Sequence, residues 1–244
     1  FARYPSDLDD TDRHSALSAS DFDLLNPNTR TCPTFRSGRD ARLNLALYRR
    51  AGILWQEGCP DGNPWGLRFM QGTFNMASDS GLFRVRGELA QAGWTLNGNR
   101  FGKDGQVMLP LYEAKMIHHF DHRFGSYEAQ TDAQANQGKL PELTDADHAD
   151  PHRTTLPRYW VAQGELDARL DGRWDREWLI GWRDITLSTN VRTLIASLIP
   201  RAGVGHTLPL LMSETAPGLL ACLYANFCTF PLDYAARQKV GGSH

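Results

Sequence analysis

The densest group of chemically capable side chains is the run Lys115-Met116-Ile117-His118-His119-Phe120-Asp121-His122-Arg123. His118 and His122 stand four residues apart, a spacing that aligns two metal ligands on a helix. With His119 and Asp121 they supply the donor types of a metal-dependent nuclease. The run continues a strand-like segment, where that spacing need not converge, and no accompanying acidic or Asn/His half-motif is evident. Two other uses compete. One or two of the histidines can be buried hydrogen-bonding residues near a strand end. Alternatively, Lys115, His119 and Arg123 can meet phosphates or base edges.

A second polar group follows a hairpin-like stretch. Arg183 and Asp184 sit on its first strand, and Asn190 and Arg192 lie near its tip. Asn and Arg are the side chains that read adenine and guanine edges bidentately. Arg201 and His206 flank the next turn, and Arg237, Gln238 and Lys239 fall on the polar side of the last helix. Each has an ordinary alternative as a surface charge pair or a solvated helix face.

Two motifs suggest methyl-transfer chemistry and do not support it. Asn26-Pro27-Asn28-Thr29 compares with the N-P-P-Y box of amino-methyltransferases, in which an aromatic stacks on the flipped base. Thr29 stands in the aromatic position, so the segment reads as a tight turn. Gly203-Val204-Gly205 is a lone G-x-G between strands and also reads as a turn. No Gly-rich loop follows a strand to hold S-adenosylmethionine.

The 244 residues are 41% hydrophobic and 22% charged, enough for one large domain or two small ones around a real core. The net charge of −2 neither favours nor excludes nucleic acid, because one face can be basic while the rest is acidic. Residues 1–23 carry six Asp, whereas residues 28–50 carry six Arg against Asp40 alone. Of the 26 basic residues, 22 are Arg and four are Lys. Arg suits bidentate phosphate and guanine contacts, although a GC-rich genome has the same effect on composition. The four Cys form no C-x-x-C pair, no signal peptide opens the chain, and no apolar run reaches ~18 residues. A cytoplasmic protein with free thiols is expected. The start at Phe1 and the end in Gly241-Gly242-Ser243-His244 read as those of a fragment.

The elements that must position these groups are short. Ser37 or Asp40 caps a helix over about Asp40–Arg50, with Leu43, Ala46 and Leu47 as its apolar stripe. Residues 1–20 are polar, with room for a short strand, and residues 51–66 are loop-dominated. Strands are expected at Leu67–Met70, Leu82–Val85, Val107–Ile117, Arg158–Val161 and Thr207–Met212. Residues 93–105 read as a hairpin or loop, and residues 128–157 as a long exposed excursion. Glu165–Arg169 forms a short helix. Trp178–Thr186 and Arg192–Ile199 form a β-hairpin turning at Ser188-Thr189-Asn190. Gly218–Phe230 and Pro231–Val240 are helical. The pattern lacks regular βαβ alternation, so the fold class is α+β, a mixed or mainly antiparallel sheet with flanking helices.

Five blocks in order carry a resemblance. They are Asn26–Arg36 with Arg39-Asp40-Ala41, Leu111–Phe124, Gly181–Ile185 with Arg192–Ser197, His206–Leu210, and Asp233–His244. Together they resemble the C-terminal half of large bacterial adenine-specific DNA methyltransferases of single-chain restriction–modification systems, type IIG and type ISP-like. The resemblance implies a TaqI-type DNA specificity domain over about residues 20–244, with residues 1–19 as an extension or linker. It implies duplex DNA and the methylase domain of the same parent chain as partners. S-adenosylmethionine would belong to that parent enzyme, with no cofactor in this stretch. The DNA-contacting set expected is Lys115, His119, Arg123, Arg183, Asn190, Arg192, Arg201, His206, Arg237 and Lys239. A nuclease built on His118–His122, or a structural spacer packing on the methylase domain, are the alternatives.

Overall fold

The structure, a computed structural model, describes residues 4–240. Its helices are α1 (Ala19–Leu25), α2 (Gly38–Ala51), α3 (Arg86–Gln91), α4 (Asp132–Asn136), α5 (Asp145–Ala149), α6 (Gln163–Leu170), α7 (Pro217–Phe227) and α8 (Phe230–Arg237). Its strands are β1 (Arg68–Met70), β2 (Thr95–Asn97), β3 (Arg100–Lys103), β4 (Gln106–Tyr112), β5 (Trp160–Ala162), β6 (Trp178–Trp182), β7 (Ala196–Pro200), β8 (Gly203–Val204) and β9 (Leu210–Met212). The expected α+β class, with mainly antiparallel sheets and flanking helices, is observed. No described helix is long and apolar enough to cross a membrane.

The chain divides into two compact units. One comprises Phe1–Leu67, Thr186–Leu194 and Ser213–His244; the other comprises Arg68–Ile185 and Ile195–Met212.

The first unit is helical. Ser37 caps α2, its hydroxyl accepting from Asp40 N at 3.2 Å. The buried side of α2 is Ala41, Asn44 and Leu45, packed with Leu25 and Phe35. The expected stripe of Leu43, Ala46 and Leu47 is therefore not the core face: Leu43 is 45% exposed and Ala46 is exposed. Asn44 goes inside because its amide donates to Asp40 O at 3.1 Å, which satisfies it within the helix. The polar leader, where a strand seemed possible, instead holds two short 3-10 turns at Pro5–Leu8 and Thr11–Arg13. Asp10 caps the second, its carboxylate accepting from Asp12 N. Ser18 then caps α1, a helix absent from the sequence expectation.

The second unit holds both sheets. One runs β1-β9-β6-β7, antiparallel throughout. The other runs β2-β3-β4-β5, also antiparallel, with β8 pairing parallel to the end of β4. The β6–β7 hairpin forms as expected, in the register Trp178↔Pro200 to Trp182↔Ala196. It opens earlier than expected: the last regular pair is Trp182↔Ala196, Arg183 N still donates to Ile195 O at 2.9 Å, and residues 184–194 leave the pairing. β4 ends at Tyr112, five residues before the expected Ile117, and Ala114–Met116 becomes a 3-10 turn. Leu82–Val85 is likewise not a strand: Ser80–Leu82 is a 3-10 turn and only Arg84 bridges, to Trp160. Gly203-Val204-Gly205 begins as strand, not turn. A Cβ on Gly203 would lie 2.7 Å from Val161 Cγ2, so close packing requires glycine there.

The stretch 128–157 is folded. It carries α4 and α5, bridges back through Gly125 to Glu142, and returns at Thr155 and Leu156, both buried. Leu156 joins Leu89, Phe101, Met108 and Trp160 in the core of this unit. Trp160 is 1% exposed, donates its Nε1–H to Asn99 O at 2.7 Å, and meets Phe101 edge-on at 5.2 Å. It fills space and satisfies a turn carbonyl at once. Trp160→Ala is expected to cost roughly 3–5 kcal/mol, measured as a shift in the denaturant midpoint, with Trp160→Phe losing less.

Candidate nucleic-acid interface

The ten residues expected to touch DNA fall in both units. Lys115, His119, Arg123, Arg183, Arg201 and His206 belong to the sheet unit; Asn190, Arg192, Arg237 and Lys239 belong to the helical unit. Most of the arginines among them bind their own backbone. Arg123 donates to the carbonyls of His148 (3.1 Å), Asp150 (3.0 Å) and Arg153 (2.7 Å), closing the chain around the end of α5. Arg183 donates twice to Ile117 O (3.1 and 2.6 Å) and lies over the Phe124 ring at 5.3 Å. Arg201 reaches Trp174 O at 3.2 Å and Asp167 Oδ1 at 2.8 Å.

In the helical unit, Asp233 organises the loop 186–194. It is 4% exposed, and its Oδ1 accepts from Thr193 N (2.7 Å) and Leu194 N (2.9 Å). Arg192 lies beside it at 3.4 Å, donates to Cys228 O at 2.9 Å at the end of α7, and covers Phe230 at 4.7 Å. Arg237 donates to Asp233 Oδ2 (3.2 Å), Thr193 Oγ1 (3.1 Å) and the carbonyls of Asn190 and Val191 (both 2.9 Å). Lys239 donates to Leu25 O at 2.9 Å and to Asn26 Oδ1. Asn190 itself is exposed at the loop.

His206, half-buried, accepts from Met76 N through Nδ1 at 3.1 Å. Lys115 is exposed, with its ammonium on Gly138 O. His119 packs by its ring against His118 and Phe120. The turn at Asn26-Pro27-Asn28-Thr29 is observed, and both Asn side chains serve it. Asn28 donates to Trp55 O at 3.0 Å and accepts from Glu57 N at 2.9 Å.

The His118–His122 spacing is not helical. His118 and Asp121 close a four-residue turn by reciprocal backbone bonds of 2.8 and 3.1 Å. Asp121 is committed to Arg123 N (2.7 Å) and His148 Nε2 (3.0 Å). Among the described residues, no group of three or more His, Cys, Asp and Glu side chains converges as a metal-ligand set.

Two features lie outside the expected set. The first is the outer face of α2. At 100° per residue, Arg39, Arg42, Leu43, Ala46 and Arg50 fall within one arc opposite the buried side. All five are exposed, as is Arg36 just before the helix. Among the described residues, Arg36, Arg39, Arg42 and Arg50 form no ion pair, while Arg49 at the edge of the face meets Asp21 at 3.1 Å. Asp40, the only acid of the helix, is held by Ser37 Oγ at 2.8 Å and by the Tyr234 hydroxyl. The signal was visible as the arginine run in 28–50, but its facing depended on which side of α2 is buried. The second feature is Phe120, 70% exposed in the turn just described.

Compared with protein-family models, curated proteins and solved structures, the chain shows no match in any of the three.

Two outcomes follow from the bracing. Asp233→Ala leaves a buried amide, a half-buried amide and the Arg237 guanidinium without this acceptor, and is expected to lower stability by about 3–5 kcal/mol in denaturant titration. His148 faces an acceptor from each ring nitrogen, Thr144 O at Nδ1 (2.9 Å) and Asp121 at Nε2. The Thr144 carbonyl first, then Asp121, raise its pKa above the ordinary 6.5. Its contribution to stability is therefore full below pH 6.5 and is lost as pH rises through the raised value. Proton NMR titration is expected to show His148 titrating late, with Asp121→Asn moving it back down.

Proposed function

We propose that this chain is the DNA-recognition part of an adenine-specific DNA methyltransferase of a single-chain restriction–modification system, built on a TaqI-type specificity fold. Two things support the reading: the five ordered blocks, and above all the α2 face, where exposed arginines stand together without ion-pair partners. Such a face attracts the phosphate backbone of duplex DNA and gives sequence-independent grip. Lys115 and Asn190, both exposed, are the remaining candidates for base or phosphate contact, whereas both ring nitrogens of His119 are buried. Arg123, Arg183, Arg192, Arg201 and Arg237 act by holding the loops in shape.

In this reading the protein binds duplex DNA, helps set the target sequence and presents an adenine to a separate catalytic domain. S-adenosylmethionine is bound and consumed there, and the present chain supplies positioning alone. The test is duplex binding between about 50 and 200 mM salt by fluorescence anisotropy. Replacing Arg39, Arg42 and Arg50 together by Ala is expected to weaken binding to every duplex sequence. It should also flatten the slope of log K against log salt by about 0.9 for each phosphate no longer neutralised. Exposed substitutions of this kind leave stability within about 0.5 kcal/mol. An unchanged slope in the triple variant, or salt-independent binding by the parent chain, would count against the proposal.

A further inference from the structure

Phe120 has a backbone φ of 59°, in the left-handed region that a bulky side chain rarely occupies. Such a conformation is strained and persists only where the surrounding structure holds it. Burial does not offset that strain, since the side chain is 70% exposed. Glycine would suit the turn better on both counts. Meanwhile the base of the turn is braced from several directions. His118 packs on Phe124 at 4.8 Å, Arg183 holds Ile117 O, and Asp121 takes Arg123 N and His148. The molecule thus holds an aromatic ring outward on a rigid support.

We infer that Phe120 is a stacking wedge that inserts against the bases of bound DNA at the tip of the His118–Asp121 turn. This rests on the DNA reading above and names the element that would disturb the duplex. A nucleobase is the favoured occupant because the ring stands out from a segment whose neighbouring residues are polar in type. Its sequence neighbours are His119, Asp121 and His122, whereas a protein-docking patch needs contiguous apolar surface. Phe is among the apolar side chains that enter a base step and unstack it. Lys115 lies exposed on the same segment and can meet a phosphate beside it.

The test compares the unsubstituted chain with Phe120→Gly and Phe120→Trp on duplexes carrying 2-aminopurine, with and without a mismatch. Phe120→Gly relaxes the turn, so its unfolding temperature should be unchanged or higher, which separates a binding defect from a folding defect. The expected result is roughly a 5- to 100-fold loss of affinity in Phe120→Gly. With it should go the rise in 2-aminopurine emission and any preference for the mismatched duplex, while Phe120→Trp keeps all three. Equal affinity and equal emission in Phe120→Gly would overturn the wedge and leave the DNA reading standing. Unchanged DNA affinity with loss of self-association would assign the turn to a protein contact instead. Failure of the unsubstituted chain to bind any duplex in a salt-dependent way would remove the DNA reading, and the wedge with it.

Discussion

A backbone carbonyl that leaves a helix or ladder still needs a donor, and this chain leaves regular structure often. Its strands span two to seven residues and long stretches between them are irregular. Arginine meets that demand repeatedly. Arg123 closes the end of α5, Arg183 the segment after β4, Arg192 the end of α7, Arg201 the loop before β6, and Arg237 the loop 186–194. A guanidinium suits the task because its five donors are fixed in one plane and can serve several acceptors together.

The same residue type therefore does two jobs, and composition alone does not separate them. An arginine whose head is spent on carbonyls stiffens the fold; an arginine on a helix face with no acceptor nearby projects charge into solvent. The first class is found at Arg123, Arg192 and Arg237, and the second at Arg39, Arg42 and Arg50. Asp233 shows the matching role for an acid: buried on α8, it fixes the loop that carries Asn190.

Local patterning in the sequence was legible where one interaction dominates. The Trp- and Ile-rich β6 and its partner β7 pair as their alternation requires, and Ser37 caps α2. The Asn26 turn follows from its own residues. What depended on distant partners was not legible. The buried side of α2 differs from the one its apolar spacing indicates because Asn44 satisfies its amide inside the helix, so a polar residue took a core position. The strand expected to run to Ile117 stops at Tyr112, where β8 joins from about ninety residues later in the chain. Phe120 gave no sign in sequence, since neither its φ nor its exposure can be read from a Phe between His and Asp. The clamping roles of Arg123 and Arg237 depend on carbonyls that only the folded loops bring near.

We propose that this chain meets duplex DNA through exposed groups on α2 and, in the other unit, on the His118–Asp121 turn. Backbone amide chemical-shift mapping of the full chain during titration with duplex DNA tests it most directly. The account predicts shifts concentrated at Arg36–Arg50 and at His118–His122, fading as salt is raised. It predicts little change in the core around Trp160. Shifts absent from both segments at saturating DNA, or confined to the clamped loop at 186–194, would contradict it.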